Sequence, residues 1–331
     1  MSSIPFHQSS YVAQVKRLRL LAEQAVLRYP IRVRHLHFIH HGENATFRVD
    51  GSKGDRYLLR LHRHDYHTKA AILEELSWLD QLASQGMRVP QPILSKNGAM
   101  LESVDHLAIG VPRLVALFKW RDGRACGEGA SPKTIRDVGS LLGQLQNLAP
   151  KKAVRHRRYW TAEGLVGPSP KFGSIDQIPG ATPKQQRVIS AVRRRTYRRL
   201  QDFARKFPKR QSLIHADLHF GNLIRTSDGL APIDFDDCGF GFHAYDLAVP
   251  LLWIRGSKAC QTDLAFARFR AAIIEGYAQH RPWDEHDDRI LSDLLIARRL
   301  TLLGWLKSRA DNPRLRKVLK KYLPKTIKEI S

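Results

Sequence analysis

Two short stretches near the middle of the chain decide its fold and carry its chemistry. The first, His215–Asn222, reads H-A-D-L-H-F-G-N, and the second, Ile233–Asp236, reads I-D-F-D. Asn222 follows Asp217 by five positions, and Asp234 follows Asn222 by twelve. A single H-x-D means little. The two motifs together, in this order, predict one carboxylate that handles a hydroxyl proton and two oxygen donors that hold a metal ion.

The residues around these motifs predict how the site is held. Asp217 comes after the apolar strand Ser212–Ile214 and shortly before Gly221, so we expect a tight loop rather than a helix. Asn222 supplies a neutral amide oxygen, which can bind a metal ion without adding another negative charge to the site. Asp234 ends a short apolar strand that presents its carboxylate rigidly. The alternative is that all three are ordinary turn and strand-end residues.

The segment Leu213–Ala248 resembles the core of the aminoglycoside phosphotransferase and choline kinase superfamily, most of all its stress response kinase A and type II homoserine kinase branch. A weaker resemblance extends from about residue 35 to about residue 304. It implies an α+β, two-lobed, protein-kinase-like fold, in which a small antiparallel sheet with one main helix precedes a larger, mostly helical lobe. It also implies ATP and Mg2+ as cofactors, Asp217 as catalytic base, Asn222 and Asp234 as metal ligands, and Asp246 as a brace of the second lobe.

The hydrophobic pattern divides the chain into residues 1–118, expected to bind nucleotide, and residues 119–331, expected to hold the catalytic and acceptor sites. An amphipathic helix over Tyr11–Arg28 opens the first lobe, and Lys69–Gln85 is its main helix. The boundary lies near Lys119–Gly123, and the Pro- and Gly-rich stretch Arg155–Thr182 predicts a long surface loop. The strand-like segments of the first lobe are Val33–Ile39, Thr46–Val49, Tyr57–His62, Gln91–Leu94, Met100–Glu102 and Arg113–Phe118.

The turn between the first two strands, His41–Thr46, lies where kinases place a loop over the phosphates. We expect Gly42 and Asn44 to contact the nucleotide there. The turn has one glycine only, so a plain hairpin turn fits the pattern equally well.

The end of the last strand, Leu117–Trp120, is expected to supply backbone hydrogen bonds to adenine. This places Phe118 and Trp120 at the nucleotide, with Leu223 and Ile233 as apolar walls.

The third strand of a kinase normally supplies a lysine to the phosphates, and here Arg60 occupies the matching place. Arginine clamps phosphate bidentately but is not interchangeable with lysine. We expect Glu74 on the following helix to pair with Arg60, with the adjacent Glu75 as the rival. Both acids also fit ordinary exposed helix positions.

Composition limits the class of protein. The chain has 331 residues, 43% hydrophobic and 26% charged, as in globular proteins. No run approaches the roughly 18 apolar residues that span a membrane, and the first residues lack an apolar signal core. The three cysteines, Cys126, Cys238 and Cys260, are widely spaced and odd in number, which argues against a disulfide framework. We therefore expect a cytoplasmic protein without a membrane span.

The net charge of +24 is concentrated in residues 187–210 and in the tail Arg314–Lys328. Apolar residues recur at near-helical spacing within residues 187–210, so these residues predict an amphipathic helix with a basic face. That face is either a solvated surface or a docking site for an anionic partner: a nucleic acid, an anionic lipid or an acidic protein.

The fifteen histidines also raise the possibility of a zinc site, because His35 and His37 share a strand face. No cysteine or carboxylate set completes a tetrahedral site at ligand spacing, which favours solvated histidines. We expect His215 to orient the catalytic loop rather than to act as a base.

Taken together, the residues and the resemblance predict a kinase that moves the γ-phosphate of ATP to a hydroxyl acceptor. The acceptor is either a small metabolite, homoserine-like or choline-like, or a protein Ser/Thr. The sequence Asp284–Asp288 is either an acidic patch for a cationic acceptor or the start of a helix. The alternative function is a non-catalytic, kinase-like binding protein that docks an anionic partner through its basic helix.

Overall fold

The computed structural model describes residues 5–127, 131–150 and 154–330. The chain forms two compact units, Met1–Gly123 and Arg124–Ser331. The division therefore falls at the end of the Lys119–Gly123 segment, a few residues beyond the 118/119 boundary expected from the sequence.

The N-terminal unit is an antiparallel sheet with two helices. Within the described residues its six strands run in the order β1-β2-β3-β6-β4, and β5 pairs with β6. The elements are α1 (Tyr11–Val26), β1 (Val33–His41), β2 (Ala45–Gly51), β3 (Arg56–Leu61), α2 (Lys69–Ser84), β4 (Pro92–Ile93), β5 (Glu102–Val104) and β6 (Arg113–Lys119).

Alternation along the strands builds the core of this unit. In β2, Ala45, Phe47 and Val49 are buried and the residues between them are partly exposed, as a sheet with one covered face requires. Both helices begin at a side-chain cap: Ser10 accepts a hydrogen bond from Ala13 N, and Thr68 accepts one from Ala71 N. The six strands and two helices lie within a few residues of their predicted places.

The described residues of the C-terminal unit are mostly helical, with two small sheets among the helices. The sheets have the orders β10-β9-β7 and β11-β8. The elements are β7 (Arg124–Ala125), α3 (Pro132–Asn147), α4 (Ala162–Val166), α5 (Pro183–Lys206), β8 (Gln211–Ile214), β9 (Leu223–Thr226), β10 (Gly229–Pro232), β11 (Gly239–Phe242), α6 (His243–Arg255), α7 (Asp263–Ala278), α8 (Glu285–Lys307) and α9 (Pro313–Ile330). The predicted α+β class, with a small sheet unit followed by a larger helical one, is confirmed.

The prediction of a surface loop over Arg155–Thr182 is wrong. This segment contains α4, and its side chains Arg157 and Trp160 are fully buried. Trp160 stacks on Tyr245 of α6 with ring centroids 5.5 Å apart, and its Nε1 donates to Asp237 O at 2.7 Å. The prolines and glycines predicted a loop, but the segment packs its large side chains into the centre of the unit.

The acidic run Asp284–Asp288 begins helix α8, which was one of the two alternatives that the sequence left open. Asp284 caps α8 and accepts from the backbone amides of His286 and Asp287, while the Asp287 side chain accepts from Asp284 N. Arg210 forms ion pairs with both Asp284 and Asp287. Asp284 and Asp287 are therefore engaged in capping the helix and in ion pairs.

Candidate active site

The loop that follows β8 is anchored from below by a buried carboxylate. Asp246 of α6 is fully buried and accepts hydrogen bonds from His215 N at 3.2 Å, Ala216 N at 2.6 Å and Gln146 Nε2 at 3.1 Å. Burial raises the pKa of Asp246 to about 6, although the amide donors oppose that rise. The bracing contact implied for Asp246 is present, and it fixes two successive amides of the loop.

Two residues of the site have left-handed backbones that side chains rarely adopt. Ala216 has φ +67° and Asp234 has φ +62°. Such a conformation costs a non-glycine residue about 1–3 kcal/mol and collects at functional sites, where the surroundings hold it. The Asp246 carboxylate holds Ala216 in this way, and the strained turn directs the next side chain, Asp217.

His215 bridges the two motifs from inside the fold. Its Nε2 lies 3.2 Å from Ile233 O, and its Nδ1 accepts from Asp217 N at 3.4 Å. Burial lowers the pKa of His215 to about 4, so the ring is neutral near pH 7. A neutral, fully buried ring that joins two backbone segments fits an orienting role.

The Asp217 carboxylate is held by groups from two different places in the chain. Arg298 Nη2 of α8 donates to its Oδ1 at 2.5 Å, and Asn222 Nδ2 donates to its Oδ2 at 3.3 Å. His219 Nε2 lies 3.6 Å from Oδ2. About a quarter of the Asp217 side chain is exposed. The carboxylate is therefore fixed in direction and still accessible.

Arg298 is a buried cation that serves this carboxylate. Besides the ion pair, its Nη1 donates to Tyr245 Oη at 3.3 Å. Burial alone lowers the pKa of Arg298, but Tyr245 and Asp217 outweigh it and raise that pKa. A buried charge of this kind is stable only with its partners, so Arg298 and Asp217 hold each other in place.

Asn222 and Asp234 are brought together at one end of the β9–β10 hairpin. Ile233 N donates to Asn222 O at 2.9 Å, and Pro232 pairs with Leu223. The side-chain Nδ2 of Asn222 donates to Asp217 O at 2.9 Å. Because the nitrogen is engaged there, the side-chain Oδ1 of Asn222 is the atom that can face a cation. An amide oxygen beside carboxylates is a hard oxygen set of the kind that Mg2+ prefers. The residues thus fit the predicted metal, and their role as ligands remains a prediction.

A second ion pair lies in the same part of the unit. Lys171 Nζ contacts Asp237 Oδ1 at 2.7 Å and lies 4.2 Å from the Tyr159 ring centroid and 4.7 Å from that of Trp160. Lys171 lowers the pKa of Asp237 against the effect of burial. Lys171 therefore fills an aromatic-lined cation position within the chain itself.

The ion pair of the N-terminal unit corrects one prediction. Arg60 Nη1 donates to Glu75 Oε1 at 2.6 Å, and both side chains are almost fully buried. Glu75, rather than Glu74, is therefore the acid shown to pair with Arg60, and Glu74 is only half-buried. The Arg60 guanidinium also lies 4.9 Å from the ring centroid of Phe118. Breaking a buried pair of this kind by removing one partner typically costs about 3–5 kcal/mol.

The predicted phosphate turn is closed by its own backbone. Gly42 N donates to Asn44 O at 3.0 Å, and Asn44 Oδ1 accepts from Arg63 N at 3.1 Å. A Cβ on Gly42 would lie 2.8 Å from Nε2 of His40, but that side chain is exposed and can turn aside, so the turn does not require glycine at this position. Contact of Gly42 and Asn44 with a nucleotide remains a prediction.

The strand end expected at adenine is already used by the sheet. Lys119 N donates to Gln91 O at 2.9 Å, and Trp120 N donates to Arg56 O at 3.0 Å. These two amides are therefore committed within the N-terminal unit. The predicted backbone hydrogen bonds to adenine would have to come from other groups of this segment, and nucleotide contact at Phe118 and Trp120 stays a prediction.

Other metal and membrane features are absent from the described part of the chain. No group of three or more His, Cys, Asp or Glu side chains there is arranged to hold a metal ion. None of the described helices is long and apolar enough to cross a membrane.

Comparison with known proteins decides the family. Residues 35–287 match the model of the phosphotransferase enzyme family, abbreviated APH. The chain belongs to this phosphotransferase family. The resemblance to the aminoglycoside phosphotransferase superfamily is thereby confirmed.

Similar proteins extend the match over most of the phosphotransferase. Amicoumacin kinase of Bacillus subtilis is 25% identical over 308 residues, which are 88% of this chain and 85% of that protein. Stress response kinase A of Escherichia coli K12 is 24% identical over 277 residues, 82% of this chain and 76% of that protein. The solved structure of a microcompartment-associated aminopropanol kinase covers 93% of this chain and 95% of its own, with a TM-score of 0.81 and 26% identity.

These findings confirm the predicted protein-kinase-like fold class and the assignment of the phosphotransferase as a kinase, an enzyme that phosphorylates an alcohol group. A structure of amicoumacin kinase hAmiN with AMP-PNP, Ca2+ and amicoumacin has the same fold, with a TM-score of 0.78 over 97% of this chain.

Sequence reasoning missed one residue of the site, Arg298, and the ion pair that Lys171 forms with Asp237 in the same unit. Arg298 stands in the run L-L-I-A-R-R-L-T-L-L of α8, where a charged pair interrupts an apolar stretch. A buried arginine needs an acidic partner, so this interruption was a usable signal. Lys171 gave no comparable signal, because its aromatic neighbours and Asp237 come from separate segments.

Proposed function

We propose that this phosphotransferase moves the γ-phosphate of ATP to a hydroxyl group of a small molecule, with Mg2+ as the metal. The observation that carries the proposal is the Asp217 carboxylate, fixed by Arg298 and Asn222 on a loop that Asp246 braces. A positioned, accessible carboxylate is what a kinase needs to orient an attacking hydroxyl.

The side chains have the following roles in this proposal. Asp217 accepts a hydrogen bond from the acceptor hydroxyl, directs its oxygen and takes its proton as the new bond to phosphorus forms. Asn222 Oδ1 and the Asp234 carboxylate hold the metal, which when bound neutralises charge on the phosphate oxygens. Arg60, oriented by Glu75, offers its guanidinium to the phosphates of the nucleotide. The N-terminal unit then binds nucleotide, and the C-terminal unit carries out catalysis and binds the acceptor.

The names of the relatives favour a small acceptor over a protein. Amicoumacin kinase and aminopropanol kinase both carry the name of a small molecule. An acceptor of that size reaches Asp217 without a docking surface for a polypeptide. The non-catalytic alternative loses weight, because Asp217, Asn222 and Asp234 are all present and lie in one loop system.

The state of the cysteines fits a reducing compartment such as the cytoplasm. The three cysteines, all within the described residues, form no disulfide. We include a cytoplasmic location in the proposal for this reason.

The first test is transfer of label from γ-labelled ATP. A bacterial extract is separated into a fraction of small molecules and a fraction of proteins, and each is incubated with the wild-type enzyme and with Asp217→Asn. We expect Mg2+-dependent label in the small-molecule fraction and a loss of about two to four orders of magnitude in Asp217→Asn, because the amide cannot take the proton of the acceptor hydroxyl.

Nucleotide binding provides the control for this test. Calorimetry with the non-hydrolysable analogue AMP-PNP should give the same affinity for both proteins, since Asp217 acts on the acceptor. Label in proteins alone would replace the small acceptor by a protein Ser/Thr. Equal labelling by the wild-type enzyme and by Asp217→Asn would show that Asp217 does not direct or deprotonate the acceptor hydroxyl.

A further inference from the structure

Helix α5 carries a straight row of arginines on its outer face. Arg187, Arg194, Arg198 and Arg205 are separated by seven, four and seven residues, and all four are exposed. At 100° per residue they lie within roughly 40° of one another around the helix, and at about 1.5 Å per residue they extend over about 27 Å. These four residues are named the arginine row.

The charge of the arginine row is largely unbalanced. Asp202, the one acid of α5, pairs with Arg205 at 2.9 Å. Within the ranges 5–127, 131–150 and 154–330 the other three arginines have no hydrogen-bond or ion-pair partner. Arg195, also exposed, adds to the charge. Arg194 and Arg198 are four residues apart, and like charges at that spacing repel each other and weaken a helix.

A second basic helix widens the charged surface. Helix α9 packs against α5 in the same unit. Its one acid, Glu329, is paired with Arg299. Seven basic side chains of α9 are exposed: Arg314, Arg316, Lys317, Lys320, Lys321, Lys325 and Lys328.

The surface lacks what a membrane-binding helix requires. Such a helix buries an apolar face among lipid headgroups. The apolar residues of α5, which include Ile189, Leu200 and Phe203, are buried inside the protein. Across the described residues, no large apolar side chain of α5 is exposed, and Val318 is the one on α9. The outer face of α5 therefore offers charge without an apolar anchor.

We propose that the arginine row, with α9 beside it, binds the phosphate backbone of a nucleic-acid duplex without reading its sequence. A duplex carries one charge per about 1.7 Å of axis, so about 16 phosphates lie along the 27 Å of the row. Guanidinium groups bind phosphates and carboxylates equally well in geometry, so what favours a duplex is its regular, closely spaced line of anions, which a protein surface does not offer. A single nucleotide is far shorter than the row. This binding is separate from phosphoryl transfer.

The test compares two triple variants of the full-length protein that lose the same charge. Arg187→Gln, Arg194→Gln and Arg198→Gln remove three members of the row. Arg34→Gln, Lys53→Gln and Lys96→Gln remove three exposed cations, also without side-chain partners among the described residues, from the N-terminal unit. Binding to a fluorescein-labelled 30-base-pair DNA duplex of arbitrary sequence is measured by anisotropy over a range of NaCl concentrations.

We expect the wild-type protein to bind with a steep salt dependence. The row variant should bind at least tenfold more weakly at 100 mM NaCl. Its slope of log affinity against log salt should fall by about two to three, because about three phosphate contacts are lost. The control variant should remain within about threefold of wild type. Equal circular dichroism spectra and thermal midpoints of the two variants establish that both are folded.

Three outcomes would overturn the proposal. The first is equal weakening by both variants, which would make the binding a property of net charge alone. The second is no binding of the duplex by the wild-type protein at 50 mM NaCl. The third is binding to phosphatidylserine vesicles that depends on the row while duplex binding does not, which would assign the surface to a membrane.

Discussion

At the scale of single residues, the site depends on how firmly one carboxylate is held. Asp217 receives a short bond from Arg298 and a longer one from Asn222. Arg298 bonds to Oδ1 and Asn222 to Oδ2, so the two donors fix the direction of the carboxylate without occupying all of its acceptor capacity. Arg298 is therefore a positioning residue, which acts on the reaction through Asp217.

Arg298→Met should separate positioning from binding. Loss of the guanidinium frees Asp217 to rotate, and a displacement of about 1 Å typically costs about 100-fold in rate. We expect kcat to fall by about that factor, while KM for ATP changes by less than about threefold, since Arg298 lies outside the proposed nucleotide contacts. Steady-state kinetics with the acceptor found by labelling measures both.

Arg298→Lys is the matched control, because it keeps the charge but not the two-armed geometry. It should recover part of the lost kcat. If Arg298→Met left kcat unchanged, or raised KM for ATP in proportion to the fall in kcat, the positioning role would be refuted.

The residues that the sequence could predict are those whose partners are near in the chain. Asp217, Asn222 and Asp234 stand at fixed short spacings, and the structure places them in one loop system. Arg298 lies 81 positions from Asp217, so no local spacing connects the two. The error over Glu74 was avoidable, because Glu75 has buried residues three and four positions away on both sides (Ala71, Ile72, Trp78 and Leu79), whereas Glu74 has one on each side. Helical phase therefore puts Glu75 on the covered face.

At the scale of secondary-structure elements, the helices of the C-terminal unit approach each other through glycine. A Cβ built on Gly139 of α3 would lie 2.0 Å from Ile273 O, and one on Gly276 of α7 would lie 1.9 Å from Arg136 O. Each helix thus places a glycine against the backbone of the other. This crossing fixes α3, whose Gln146 reaches Asp246 beneath the catalytic loop.

Gly276→Ala should destabilise the fold. The new methyl group meets backbone atoms that cannot move aside without separating the helices, and overpacking of this kind costs about 1–3 kcal/mol or somewhat more. We expect a lower urea midpoint and a lower free energy of unfolding by about 3 kcal/mol, measured by equilibrium denaturation.

Gly256→Ala, after the end of α6, is the control. Its Cβ would meet its nearest atom, Trp253 O, at 3.4 Å, and its backbone is right-handed helical. That variant should match wild type or gain slightly in stability, because alanine restricts the unfolded chain. Equal midpoints for the two variants would show that the α3–α7 crossing tolerates a wider separation.

Element boundaries followed from hydrophobic period, but the placement of irregular segments did not. Strands β1 to β3 and helix α2 lie within about two residues of their predicted ends, since their apolar residues repeat at a clear period. The segment that contains α4 has no such period. What buries it is Trp160 stacked on Tyr245 and Arg157 bonded to Asp236 O and Cys238 O. Those partners lie about 80 residues away, beyond any local pattern.

At the scale of the whole molecule, which has a net charge of +24, some cations of the described residues are paired with acids and others are not. Arg60 of the N-terminal unit and Arg298 of the C-terminal unit are each buried and paired with an acid of their own unit. Much of the surplus lies on the exposed faces of α5 and α9. Composition alone predicted a strongly cationic protein, but the distinction between paired and surplus cations required the fold.

Stability against pH is set in part by buried groups that lie close together around β8 and α6. Burial lowers the pKa of His215 to about 4 and that of His243 to about 3, with Arg281 and Arg210 adding to the second shift. Each histidine is neutral in the fold, whereas in the unfolded chain it binds a proton below about pH 6.5. Their contribution to stability is present above pH 6.5 and is lost as pH falls. Asp246, with its pKa raised to about 6, acts in the opposite direction and gains stability as pH falls.

His243→Gln should therefore flatten the acid side of the stability curve. Between about pH 6 and pH 4 the unfolded wild-type chain binds one more proton at residue 243 than the folded chain does, which costs about 1.4 kcal/mol per pH unit. Glutamine does not titrate and can still hydrogen-bond Ser212, the partner of His243 at 2.9 Å. We expect urea denaturation to show that the free energies of unfolding of the two proteins differ by an amount that does not change with pH near pH 7.5. Below pH 6 wild type should lose stability faster than the variant by about that slope; parallel curves down to pH 4 would mean that His243 is protonated in the folded protein.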